Sequence, residues 1–131
     1  MLNDNCIFCK IIKGEIPSYT VYETEDVKVF MDINPMSKGH LLVIPKEHYN
    51  NILDIDNVIL RKIDDSIREI YPKLKDKLGA EGLTRIQNNE LGQEVKHYHM
   101  HLVPRYKDDK FIETVNEDAK NSLNEVFELL K

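Results

Sequence analysis

The chain has 131 residues, 41% of them hydrophobic, enough for a real core and for the expectation of a single domain over 1–131. With 18 Lys and Arg against 23 Asp and Glu, its net charge of -5 argues against non-specific nucleic-acid binding. No apolar run approaches the roughly 18 residues that span a bilayer, so no membrane partner is expected.

The opening segment MLNDNCIFCK lacks a basic start followed by a long apolar stretch, so a cytoplasmic location is expected. Thiols stay reduced there, and the two cysteines read as metal ligands, catalytic groups or plain thiols before a disulfide. CIFCKIIKG predicts a turn leading into a short helix stopped by Gly14. Residues 19–24 alternate as a half-buried strand does, and VKVFMDI predicts a second strand after a turn at Glu25 and Asp26. NPMSKG is loop-like, and HLLVIP predicts a short central strand ended by Pro45. Leu60, Ile63, Ile67, Ile70, Leu74 and Leu78 lie on one helical face. Pro72 inside that pattern is expected to kink or divide the helix, and Gly79 to stop it. GLTRIQ then predicts a strand, NNELGQ a loop and KHYHMHLVP a strand. The tail, with Ala119, Leu123, Val126, Phe127 and Leu130, predicts a C-terminal helix. Thr114 and Glu117 have capping-box spacing, with Asn116 the rival cap. This order predicts an α+β fold: an antiparallel, meander-like sheet with a long central helix and a C-terminal helix.

HYHMHLVPR carries three of the five histidines at alternate positions. On a strand His97, His99 and His101 share one face, while Tyr98, Met100 and Leu102 point into the core. Such a row suits a polar sheet face, a three-histidine metal site with an open position, or nucleophilic and acid–base catalysis near pH 7. The cysteines add a second signal. Cys6 and Cys9 have the C-x-x-C spacing that places two thiolates on one zinc ion. A closed tetrahedral site needs two further ligands, which only histidines can supply; spacing alone leaves open which two. Asp64 and Asp65 read as the solvated side of the long helix, and Arg105 and Lys107 as surface charges that could attract an anionic substrate.

HYHMHLV matches His-φ-His-φ-His-φ-φ, with φ apolar, the signature of the histidine triad family. CIFCKIIKGEIPSYTVYE, VFMDINPMSKGHLLVIPKEH and GQEVKHYHMHLVPR resemble family segments in the expected order, over roughly residues 5–106. The chain is most similar to zinc-containing prokaryotic members of the nucleoside phosphoramidate hydrolase branch. The resemblance implies a histidine-triad fold and a nucleotide hydrolase or transferase working through a covalent nucleotidyl intermediate on His99. It implies that His101 assists proton movement and that His40 completes the polar wall. It assigns one structural zinc to Cys6, Cys9, His48 and His97. It places Phe8, Ile11, Ile16, Phe30 and Ile33 at a base pocket, Asp32 at the ribose, and Asn88 and Gln93 beside the phosphate. Ile11 and Phe30 suit a plain core equally well. The substrate would be a purine nucleotide derivative, and the assembly a two-fold homodimer. Two features depart from the pattern. The NNELGQ connection is short, so Asn88 and Asn89 compete for one role. Glu94 stands where a small hydroxyl residue is common, which leaves leaving-group preference open. The rival functions are a dinucleoside polyphosphate hydrolase, a zinc-stabilised nucleotide-binding or scaffold protein with vestigial activity, and a metal-dependent hydrolase.

Overall fold

A computed structural model describes residues 2–131. Its elements in chain order are α1 (Ile7–Ile12), β1 (Thr20–Glu23), β2 (Val27–Met31), β3 (Leu41–Pro45), α2 (Asn57–Leu78), β4 (Gly82–Ile86), β5 (Met100–Arg105), α3 (Glu117–Asn121) and α4 (Leu123–Leu130). The strands form one five-stranded sheet in the order β1-β2-β3-β5-β4, with every pairing antiparallel. The first three strands form a meander. The last two depart from it: β4 takes the edge, and β5 returns between β4 and β3.

Strand alternation builds two unlike faces. Val27, Val29, Leu41, Val43, Met100 and Leu102 pack with Ile63, Ile67, Ile70 and Leu74 of α2 in the larger core. Phe30, Leu42 and Ile44, one residue out of phase, pack with Cys6, Phe8, Cys9 and Ile11 from the α1 segment. The apolar stripe of α2 therefore covers one face, and the short α1 covers only part of the other. The uncovered part of that second face is open to a ligand.

Several local expectations change. The last predicted strand begins at Met100, not at residue 96. Its partner strand explains why. Val43 pairs with Met100, so two positions further on Tyr98 would face Pro45, which has no N–H to give. The Tyr98 N–H donates to the Tyr49 carbonyl instead, at 2.7 Å. Pro72 does not divide α2. It lies on the solvent side with exposed Arg68 one turn before it, so water can satisfy the carbonyl that the proline leaves unpaired. The Asp56 side chain caps α2 by accepting the Val58 N–H at 2.7 Å, and Gly79 ends it at φ 74°. The tail helix is broken at Ser122, and Asn116 caps α3 by accepting the Ala119 N–H at 2.9 Å. Leu123, Val126, Phe127 and Leu130 stay exposed, so the tail's apolar face is not part of the core. No helix among the described residues is long and apolar enough to cross a membrane.

Candidate functional site

The partly covered sheet face holds a cleft of about 830 Å³. Phe8 and Ile11 of α1, Ile16, Phe30 of β2 and Ile33 form its apolar wall, and Asp32, His40, Asn88, His99 and His101 its polar one. Phe8 and Phe30 meet edge to face at 5.6 Å, and Phe8 stands edge-on to the His99 ring at 5.1 Å. The apolar side chains proposed for the base pocket thus serve the core and the cleft together, except Ile33, which is 81% exposed at the rim.

The histidines are wired by hydrogen bonds that fix their tautomers. The His99 Nδ1–H donates to the His97 carbonyl at 2.8 Å, so its Nε2 carries the lone pair. A second chain of bonds starts from the backbone. The Met36 N–H donates to His40 Nδ1 at 2.9 Å, which places the His40 proton on Nε2. That proton is donated to His101 Nδ1 at 2.9 Å, which leaves the His101 proton on Nε2. One triad ring therefore offers a lone pair, and its neighbour, 5.1 Å away centroid to centroid, offers an N–H. Asp32 Oδ2 lies 3.5 Å from His40 Nε2 and 3.8 Å from His101 Nδ1. Burial lowers the pKa of His40, His99 and His101 below the ordinary 6.5. Asp32 pulls all three the other way, but burial outweighs it, so the rings are neutral at pH 7.

Cys6, Cys9, His48 and His97 converge beside the cleft, their ligand atoms all within 4.8 Å of one another. Cys6 Sγ lies 3.3 Å from His97 Nδ1, and Cys9 Sγ lies 3.3 Å from His48 Nδ1 and 3.5 Å from His97 Nδ1. Tetrahedral zinc, with bonds of about 2.3 Å to sulfur and about 2.05 Å to nitrogen, separates S and N by about 3.5 Å. The spacing fits. The outer nitrogens fit as well: His97 Nε2–H donates to the Pro45 carbonyl at 2.9 Å and His48 Nε2–H to Asn50 Oδ1 at 3.1 Å. Both rings therefore turn an unprotonated Nδ1 inward, as metal ligation requires. Burial pushes His97 down to about 4, which keeps that ring neutral. This cluster can hold a metal ion.

Asp32, His40 and His101 form a second convergent group. Here the hydrogen-bond reading wins over a metal reading. Met36 occupies the His40 lone pair, so the nitrogen facing His101 carries a proton and cannot bind a cation.

One sequence expectation ends elsewhere. Gln93 lies outside the cleft: its side chain accepts the Glu90 N–H at 3.1 Å and donates to the Asn50 carbonyl at 2.6 Å, holding the 88–93 loop, while Gly92 and Glu94 line the cleft. Arg105 and Lys107 do not line the cleft either. Arg105 grips Asp109 at 2.7 and 3.1 Å, bonds Thr84 at 3.1 Å and stacks on Phe111. Asn88 reaches the cleft, whereas Asn89 bonds Gln87 and the Ile52 N–H. Asp64 lies on the solvated side of α2, paired with Arg85 at 2.6 Å. Sequence reading missed the Met36 N–H, the Pro45 carbonyl and Asn50. Two of these are backbone groups, for which no residue type is a signal.

The HIT domain profile matches residues 13–108, a span that contains all five histidines and begins just after Cys6 and Cys9. The chain is 45% identical over 127 residues to an uncharacterized HIT-like protein of Methanocaldococcus jannaschii, covering 92% of this chain and 98% of that one. It is 41% identical over 106 residues to an adenosine 5'-monophosphoramidase of Schizosaccharomyces pombe, covering 77% of this chain and 74% of the relative. Among solved structures, a zinc-bound histidine triad family protein of Mycobacterium smegmatis superposes with a TM-score of 0.78 at 32% identity, covering 89% of this chain and 86% of that one.

Proposed function

Since the chain belongs to the HIT domain family, we propose that it is a nucleotide hydrolase that cleaves purine nucleoside phosphoramidates through a nucleotidyl intermediate on His99. One observation carries the reading: the His99 Nδ1–H is donated to the His97 carbonyl, which leaves Nε2 as a neutral nucleophile on a ring that lines the cleft.

The steps follow from the tautomers. His99 Nε2 attacks the α-phosphorus; the N–P bond to imidazole forms as the P–N bond of the substrate breaks. The anionic substrate draws a proton from solvent onto His101, and the imidazolium gives its Nε2 proton to the departing amine and returns to the neutral ring. Water then attacks the nucleotidyl-imidazole. A new P–O bond forms, the bond to His99 breaks, and the proton from water returns to His101. The rings end as they began once that proton returns to solvent, and the product is a nucleoside monophosphate. The His40–Met36 pair resets the His101 tautomer, because Nδ1 of His101 already holds a hydrogen bond. Asp32 is free to accept ribose hydroxyls through lone pairs not used by the Asn34 N–H. Phe8, Ile11, Ile16, Phe30 and Ile33 receive the base.

Cys6, Cys9, His48 and His97 would hold a structural zinc, which would tie the α1 segment, which brings Phe8 and Ile11 to the cleft, to the Pro45 end of β3 and the approach to β5. A relative named as an adenosine 5'-monophosphoramidase supports the substrate class, and a zinc-bound neighbour supports the metal. The two-fold dimer and the cytoplasmic location stay part of this reading; sedimentation velocity tests the dimer.

The experiment is intact-protein mass spectrometry after rapid acid quench with adenosine 5'-phosphoramidate. We expect a nucleoside-monophosphate adduct that maps to His99 and vanishes in His99→Ala. Turnover undiminished in His99→Ala would exclude the covalent route.

A further inference from the structure

On the proposed reading the cleft receives an anion, yet its described lining carries no permanent cation. None of the described residues that line it is lysine or arginine, whereas two, Asp32 and Glu94, are carboxylates. Asp32 sits against His40 and His101 and accepts the Asn34 N–H. Glu94 differs. It is exposed at the rim, and among the described residues it has no hydrogen-bond or ion-pair partner. It still acts on the triad electrostatically, since its charge bears on both His99 and His101. Arg105, outside the cleft, is committed to Asp109.

From this arrangement we infer that Glu94 selects substrates by the charge of the leaving group, favouring amines that carry a second, protonated amino group and rejecting polyphosphate. The inference rests on the proposed phosphoramidate chemistry and refines it. The reacting phosphoryl group brings one negative charge, which the His101 N–H can meet by hydrogen bonding. A polyphosphate leaving group brings several more, and the lining offers it no cation and one unpaired carboxylate. An ammonium group a few atoms beyond the scissile nitrogen meets Glu94 instead. The bond changes are those given above. P–N breaks as His99 Nε2–P forms, His101 protonates the departing nitrogen, and the distal ammonium keeps its proton throughout.

The test compares kcat/KM for three substrates: adenosine 5'-phosphoramidates of n-butylamine and of 1,4-diaminobutane, whose distal ammonium lowers the basicity of the reacting nitrogen equally in every variant, and diadenosine tetraphosphate. A carboxylate and an ammonium about 4 Å apart in a water-exposed setting are worth on the order of 5-fold in rate. Wild type is expected to prefer the diamine substrate to the butylamine one by about that factor at low salt. Glu94→Gln is expected to lower that preference by the same factor and to raise the tetraphosphate rate relative to the butylamine rate by ~5-fold or more. Glu94→Lys inverts the order. Both ratios approach those of Glu94→Gln in about 1 M salt, where the screening length is about 3 Å. Glu81→Gln, which removes the same charge next to the Gly82 end of β4, leaves the ratios at wild-type values. Unchanged ratios in Glu94→Gln, with turnover still dependent on His99, overturn this inference and spare the catalytic reading. Absence of phosphoramidate turnover in wild type, or turnover indifferent to His99→Ala, overturns the catalytic reading and this inference with it.

Discussion

Replacing His101 by glutamine separates proton donation from structural support. Glutamine keeps a polar side chain of similar reach but cannot give up a proton. The cost to stability is small by the local geometry. One hydrogen bond of 2.9 Å to His40 is lost, and His40 Nε2–H still has Asp32 Oδ2 at 3.5 Å. That amounts to about 1 kcal/mol, a few degrees in Tm for a chain of this size. The catalytic cost is larger. A positioned general acid contributes about 10²–10⁴-fold, or roughly 3–5 kcal/mol of barrier. It is owed only when the leaving group needs a proton. With an alkylamine leaving group, His101→Gln is expected to lose about 10³-fold in kcat/KM. With p-nitrophenol on the same nucleotide, which leaves as a stable anion, the loss should stay within ~10-fold. Steady-state rates for the two substrates, with thermal melts alongside, make the measurement. Equal losses on both leaving groups would refute the assignment of the His101 N–H as proton donor.

Two further outcomes follow from the same geometry. Cys9→Ser is expected to lower bound zinc, measured by plasma mass spectrometry, from about one per chain towards none. It should cost ~3–4 kcal/mol in urea denaturation at saturating metal, the value of a site filled at 100–1,000 times Kd; unchanged zinc content would rule the cluster out as the metal site. Stability should also fall as pH drops below 6.5. Burial lowers the folded pKa of His40 and His101, so below 6.5 the unfolded chain takes up protons that the folded chain refuses. The groups facing them are Asp32, Glu94 and His99, and the carboxylates oppose the shift without reversing it. Urea midpoints of zinc-loaded protein at pH 7.5, 6 and 5 report this, and a flat profile over that range contradicts the burial argument.

Sequence alone determined the elements whose pattern is periodic and local. The α2 stripe from Ile63 to Leu74, the alternation of Tyr98, Met100 and Leu102 into the core, and the glycine stop at Gly79 depend on spacing that neighbours along the chain can enforce. The C-x-x-C pair and the histidine row were legible for the same reason: few residue types do that chemistry, and their spacing is short. Sequence reasoning could not reach decisions made by partners distant in the chain. Pro45 ended the β3–β5 ladder, and its carbonyl then took the His97 ring. Gln93 was drawn out of the cleft by Asn50. Arg105 went to Asp109. Above all, what each imidazole can do was decided by a Met36 N–H and a His97 carbonyl. Every residue except proline carries both groups, so only the folded backbone determines which one meets a ring nitrogen.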